Sequence, residues 1–164
     1  MYLNRMDGKT DLITTGCDNL NHMPNQYTRE LYQLCHEKLS GDGMICQVLP
    51  VKGITKLEFG ALIKACSQVF PEVSLWYATP EYLLMLGTKS SEEPGICQFL
   101  LEFSGLDMQK ELTTIGIPSP ESLIAHMLLD NRQLRQFTES LQTNLDNKPV
   151  AEYSHMISTK TDTA

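Results

Sequence analysis

The chain has 164 residues, of which 41% are hydrophobic and 20% charged; this is long enough for one domain with a buried core and ordinary for a globular protein. A formal net charge of −7 at pH 7 and a pI near 5.0 argue against a surface that tracks nucleic-acid phosphates and are compatible with a cationic substrate. The five scattered cysteines, Cys17, Cys35, Cys46, Cys66 and Cys97, include no C-x-x-C pair and read as reduced thiols; with no apolar leader and no apolar run long enough for a bilayer, the expected setting is the cytoplasm, away from membranes.

The first strand runs from Asp11 to Thr15 and ends at Gly16. Gly16 to Gln26 is a polar loop. A helix is expected from about Thr28 to Leu39, with Leu31, Leu34, Cys35 and Leu39 on one stripe. Ser40-Gly41-Asp42-Gly43 reads as its stop, with Gly41 able to take the left-handed cap position. Met44 to Leu49 is nearly continuous in apolar residues, as in a strand covered on both faces. Thr55 and Glu58 then form a capping box, with Ile54 and Phe59 at the staple positions. Leu62, Ile63, Cys66, Val69 and Phe70 supply the buried stripe of that helix, and Pro71 stops it.

Val73–Tyr77 and Tyr82–Leu86 are two β-type runs around Thr79-Pro80-Glu81, which predicts an antiparallel pair. Lys89 to Gly95 reads as a linker. Beyond it the pattern turns helical. Asp107 can cap a short helix ending at Gly116. Ser119-Pro120 starts another, with Leu123, Ile124, Met127 and Leu128 as its apolar face. Leu134, Phe137 and Leu141 continue on a further helix, and Asn144 to Tyr153 is irregular or short β. The expected organisation is a half α/β sheet domain over 1–90, a mainly helical extension over 91–157 and a disordered tail over 158–164. Such alternation is that of the second half of a doubly wound sheet, without the Gly-rich cofactor loop that a first half carries.

The chemistry-bearing residues follow this frame. The lone G-x-G, Gly41-Asp42-Gly43, lies after a helix and before a strand, the reverse of a phosphate or ribose loop, so it reads as a turn. No P-loop, zinc spacing or nucleophile elbow is present. The loop Gly16–Pro24 leaves the carboxyl end of a strand, where ligands sit in such sheets. It holds Cys17, Asp18, Asn19, Asn21 and His22. A carboxylate there can bind or deprotonate an amine, while Asp and Asn are also ordinary loop formers. Cys17, Asp18 and His22 have metal-binding chemistry without a spacing that imposes geometry. Tyr27, Glu30 and Tyr32 can line a pocket or pack with their hydroxyls at the surface. Gln47, a polar residue in an apolar strand, needs a buried partner for its amide, either a ligand or a backbone group. Trp76 reads as core and Tyr77 as pocket lining. His36 and His126 read as surface or boundary residues.

Tyr27-Thr28-Arg29-Glu30-Leu31-Tyr32, then Gly43, Gln47 and Pro50, then Phe70-Pro71-Glu72-Val73-Ser74-Leu75-Trp76 resemble the second half of the spermidine synthase-like family. Asn144-Leu145-Asp146-Asn147-Lys148-Pro149-Val150-Ala151-Glu152-Tyr153 is similar to the closing segment of its larger bacterial members. The resemblance implies the carboxyl-terminal half of a Rossmann-like, S-adenosylmethionine-dependent methyltransferase fold with a helical extension. It also implies aminopropyl transfer from decarboxylated S-adenosylmethionine to a diamine such as putrescine. In that chemistry an acidic residue just after the first strand deprotonates the attacking amine. Gly16 aligns with this position, Asn19 with a second acidic one, and Asp18 is the nearby carboxylate that can serve. Tyr77 falls near a family tyrosine that contacts the amine. The resemblance therefore suggests Asp18 as base, with Asn19, Gln47 and Tyr77 binding substrate. The chain alone is expected to bind no cofactor and no metal, and to be inactive by itself. The expected partners are a diamine or polyamine and either a second copy or a polypeptide supplying the missing half. The alternatives are a non-catalytic module docking on a partner and a degenerate methyltransferase-like fragment.

Overall fold

Strand β1 (Thr10–Thr15) runs parallel to β2 (Leu39–Pro50), and α1 (Arg29–Lys38) lies in the connection between them. The structure is a computed structural model that describes residues 7–16, 27–91, 108–148 and 150. After β2 come α2 (Lys56–Ser67), β3 (Glu72–Thr79) and β4 (Tyr82–Thr88). The extension supplies α3 (Met108–Thr114), α4 (Pro120–Ile124), β5 (Met127–Leu129) and α5 (Asn131–Thr138). The sheet order is β1-β2-β4-β3-β5. β4 folds back as the antiparallel partner of both β2 and β3, so β3 runs parallel to β2 across it.

Local signals explain most of these elements. Thr28 caps α1, its side chain accepting from the Leu31 N–H. The capping box at α2 is complete: Glu58 Oε2 accepts from the Thr55 N–H at 2.6 Å, and Thr55 Oγ1 accepts from the Glu58 N–H at 3.2 Å. The end of α1 differs from expectation. Gly41 does not take a left-handed conformation; the chain turns extended at Leu39 and enters β2 directly. Lysines take the place of a glycine cap. Lys89 Nζ donates to the His36 and Leu39 carbonyls at 3.0 Å each, and Lys9 Nζ donates to the Glu37 carbonyl. Cationic donors suit the partial negative charge of a helix carboxyl end.

The core lies between one sheet face and helices α1 and α2. Register places Ile13, Ile45, Gly87 and Val73 in one row across β1, β2, β4 and β3, and Thr15, Gln47, Met85 and Leu75 in the next. Leu31 and Cys35 of α1, Leu62, Ile63 and Cys66 of α2, and Phe70 close over these rows. Gly87 makes room for them, because a Cβ there would lie 3.0 Å from both Ile45 Cγ2 and Phe70 Cγ. The expectation that Met44–Leu49 is covered on both faces holds for one face only. Ile45, Gln47 and Leu49 are fully buried, whereas Met44, Cys46 and Val48, pointing the other way, are half-buried.

The extension is built into the sheet. Met127–Leu129 form an edge strand on β3, not the helix face expected from their spacing with Leu123 and Ile124. A four-residue apolar pattern fits a helix or a strand equally, and the free edge of β3 decides the matter by offering backbone partners. Asp130 caps α5 through a second capping box with Gln133. Asn131 then bridges the Val73 N–H and the Pro71 carbonyl, and Arg135 reaches the Phe70 and Pro71 carbonyls. Lys64 of α2 donates to the Glu139 and Leu141 carbonyls at 2.9 and 2.7 Å. Among the described residues no helix is long and apolar enough to cross a membrane.

Candidate functional site

Ligands in doubly wound sheets sit beyond the carboxyl ends of the parallel strands, which here are the ends of β1, β2 and β3. Gly16 ends β1 against β2. A Cβ on Gly16 would lie 2.6 Å from Val48 Cβ and 3.4 Å from its Cα. No side chain, and so no carboxylate, fits there without moving β2. Asp18, Asn19, Cys17 and His22 lie outside the described residues, and among the described residues no cluster of His, Cys, Asp and Glu can hold a metal ion.

Gln47 stands opposite Thr15 on β1 and Met85 on β4. Its side chain is fully buried, and neither Nε2 nor Oε1 has a hydrogen-bond partner among the described residues. No described residue supplies the backbone partner that the sequence left open. An amide buried with both its donor and its acceptor unmet costs about 1–3 kcal/mol per unmet group, so such a group in a folded protein calls for an explanation. The hydroxyl of Tyr32, also fully buried, is likewise without a partner among the described residues, on the α1 side. Burial pushes its pKa well up, and neighbouring Cys66, Tyr27 and Cys35 add to this, so it stays a neutral donor.

The tyrosines beside the loop are not surface-packed. Tyr27 is fully buried, and its hydroxyl donates to the Val48 carbonyl at 3.3 Å. Glu30 faces the closing segment, accepting the Asp146 N–H at 3.1 Å, and pairs at 3.8 Å with Arg29. Trp76 lies on the sheet face opposite Leu75, half-buried, with its indole N–H donating to Ser74 Oγ at 2.8 Å. Tyr77 shares the sheet face of Gln47 by register, but it is two strands away and two residues on, roughly 12 Å by strand spacing and rise. It is 41% exposed. Its ring is tilted over His126 at 6.1 Å, and its N–H donates to the His126 carbonyl at 2.7 Å. His126 Nδ1 lies 2.7 Å from the Ser122 carbonyl, so that nitrogen carries the proton. His36 packs edge-on against Phe70, and burial first, then Lys89 and Lys9, lowers its pKa.

An open apolar cleft of about 300 Å³ lies at the start of α2, lined by Val51, Ile54, Thr55, Lys56, Phe59 and Leu83. The Gly41-Asp42-Gly43 run lies within β2, at the irregularity where the register with β1 shifts between the Thr10–Leu39 and Leu12–Met44 pairs.

A mixed sheet in which β1, β2 and β3 run parallel, β4 is inserted antiparallel between β2 and β3, and helices lie on the crossovers makes up about half of a methyltransferase-like α/β fold. Among solved structures it is similar to spermidine synthases. One, in complex with the transition-state analogue AdoDATO, superposes with a TM-score of 0.53 at 17% identity over 84% of this chain and 46% of that chain. Spermidine synthase from Thermotoga maritima gives 0.54 and 17% over 84% and 46%. A probable spermidine synthase from Corynebacterium glutamicum ATCC 13032 gives 0.53 and 15% over 85% and 48%. The chain thus has the spermidine synthase fold and spans about half the length of these structures. No protein-family model and no curated protein matches it.

Proposed function

We propose that this chain is the amine-binding half of a cytoplasmic spermidine synthase-like aminopropyltransferase, and that by itself it does not transfer the aminopropyl group. The observation that carries the reading is the Gln47 amide, buried beside the carboxyl end of β1 with nitrogen and oxygen both unpartnered among the described residues. Its Oε1 is suited to accept from an ammonium or amine N–H, and its Nε2–H to donate. The acidic balance of the chain favours a cationic ligand. In this reading Asp18 removes the proton that otherwise blocks the amine lone pair, and Asn19, Gln47 and Tyr77 bind the diamine. Decarboxylated S-adenosylmethionine, the co-substrate, supplies the electrophilic carbon beside its sulfonium. No Gly-rich strand–loop–helix occurs in the sequence to bind it.

The test is a titration of putrescine into isotope-labelled protein, followed at the Gln47 side-chain amide resonances. The reading expects saturable shifts in the unsubstituted protein, and loss of putrescine binding by calorimetry in Gln47→Leu. Absence of any shift up to about 10 mM, which means binding weaker than about 3 kcal/mol, overturns it. Calorimetry with S-adenosylmethionine and its decarboxylated form is expected to show no binding, and micromolar affinity for either would mean that this chain builds a cofactor site of its own.

A second reading, a module that docks on a partner or on its own copy, draws on β1. This strand pairs on one side only among the described residues, and Leu12 is 51% exposed on it. Such edges template strand pairing. Light scattering after size exclusion decides this: a monodisperse monomer with slow amide exchange at Leu12–Thr14 removes the docking reading.

A further inference from the structure

Asn144 is fully buried, and all four of its polar groups are bonded to other parts of the chain. Its N–H donates to the Ala61 carbonyl of α2 at 3.3 Å, and its carbonyl accepts from the Arg29 N–H of α1 at 3.1 Å. Its side-chain Nδ2–H donates to the Tyr27 carbonyl at 3.0 Å, and Oδ1 accepts from the Val150 N–H at 2.9 Å. Two residues on, the Asp146 N–H is held by Glu30. Leu141 seats this segment on α2, where Gly60 leaves room: a Cβ at Gly60 would lie 2.0 Å from Leu141 Cδ1. Tyr27 in turn donates its hydroxyl to the carbonyl of Val48, the residue after Gln47 and the one against which Gly16 packs.

We infer that Asn144 is a positioning residue for the amine site: it grips Tyr27, and Tyr27 braces β2 at the position next to Gln47. The inference rests on the amine-site reading. A closing segment 117 residues from Tyr27 in sequence thereby sets the aim of an amide that has no hydrogen-bond partner among the described residues. A buried amide that recognises a ligand must be held to within about 0.5 Å, and a supporting layer of hydrogen bonds is what does this. Of Asn144's bonds, only the one to the Tyr27 carbonyl leads to β2; those to Ala61, Arg29 and Val150 close the fold.

The experiment uses the full chain, putrescine as probe, and the variants Tyr27→Phe, Asn144→Asp and their combination. Tyr27→Phe keeps the ring and the grip of Asn144 but loses the brace on Val48. Asn144→Asp keeps the acceptor for Val150 and loses the donor to Tyr27. Each is expected to move the Gln47 side-chain resonances in the unliganded protein and to weaken putrescine about tenfold, the equivalent of one well-placed hydrogen bond. The double variant is expected to weaken it no further than the stronger single, because the two bonds lie on one path. If Asn144→Asp fails to fold, Tyr27→Phe decides alone. Unmoved Gln47 resonances and unchanged putrescine affinity in Tyr27→Phe overturn the inference while leaving the amine reading intact. If the unsubstituted protein ignores putrescine, the amine reading falls, and the brace is judged by the unliganded Gln47 resonances.

Discussion

Replacing Gln47 by leucine should make this protein more stable and less able to bind. The amide sits between Thr15 and Met85 in the sheet, fully buried, with Nε2 and Oε1 both unpartnered among the described residues. In the unfolded chain water satisfies both groups. Folding therefore loses those bonds without replacement, at a cost of about 1–3 kcal/mol even if only one group counts in full. Leucine has a similar volume and no polar atom. It removes that cost and adds apolar burial worth about 1.5–3 kcal/mol at most, offset by about 1–2 kcal/mol if its branched end crowds the helices. A net gain of about 2 kcal/mol is expected, which in a chain of this size raises Tm by about 4–8 °C. Urea unfolding is the direct assay, with the midpoint rising at constant m. A loss of about 1 kcal/mol or more at unchanged m refutes the reasoning, because it means the amide is satisfied in the free protein, by bound water for example, and is not held open for a ligand.

Two further outcomes follow from single sites. Gly16→Ala should cost about 1–3 kcal/mol through the clash with Val48, and Gly16→Asp should cost at least as much without creating transfer activity; a neutral Gly16→Ala in urea unfolding would show that the end of β1 yields freely. Burial pushes the Cys35 thiol from its ordinary 9.0 up to about 11 and moves Cys66 further in the same direction, with Cys35 adding to the effect on Cys66. The unfolded thiols ionise first, so stability should hold below about pH 9 and fall as pH rises above it. Urea midpoints at about pH 8 and pH 10 measure this; equal midpoints would contradict it, as would rapid labelling of Cys35 or Cys66 in the folded protein.

What the sequence determined by itself is local. Thr28, the Thr55–Glu58 box, Ser119-Pro120 and Gly116 mark helix ends through bonds made within a few residues, and all appear where the side chains require them. The alternation of strand and helix was legible too, as were the resemblance to spermidine synthases and the odd polar Gln47 in an apolar strand. Tertiary structure alone decided three other matters. Met127–Leu129 became a strand because β3 had a free edge. Gly41 entered β2 because Lys89 and Lys9, remote in sequence, took over the capping of α1. Asn144 became the tie between the closing segment, α1 and α2, which no local pattern announces, since an asparagine in an irregular stretch usually only turns the chain. The Gln47 amide shows the boundary between the two most clearly. Its polarity is written in the strand, but whether any neighbour satisfies it depends on which atoms of β1, β4 and the helices arrive beside it, and a one-dimensional pattern does not encode that.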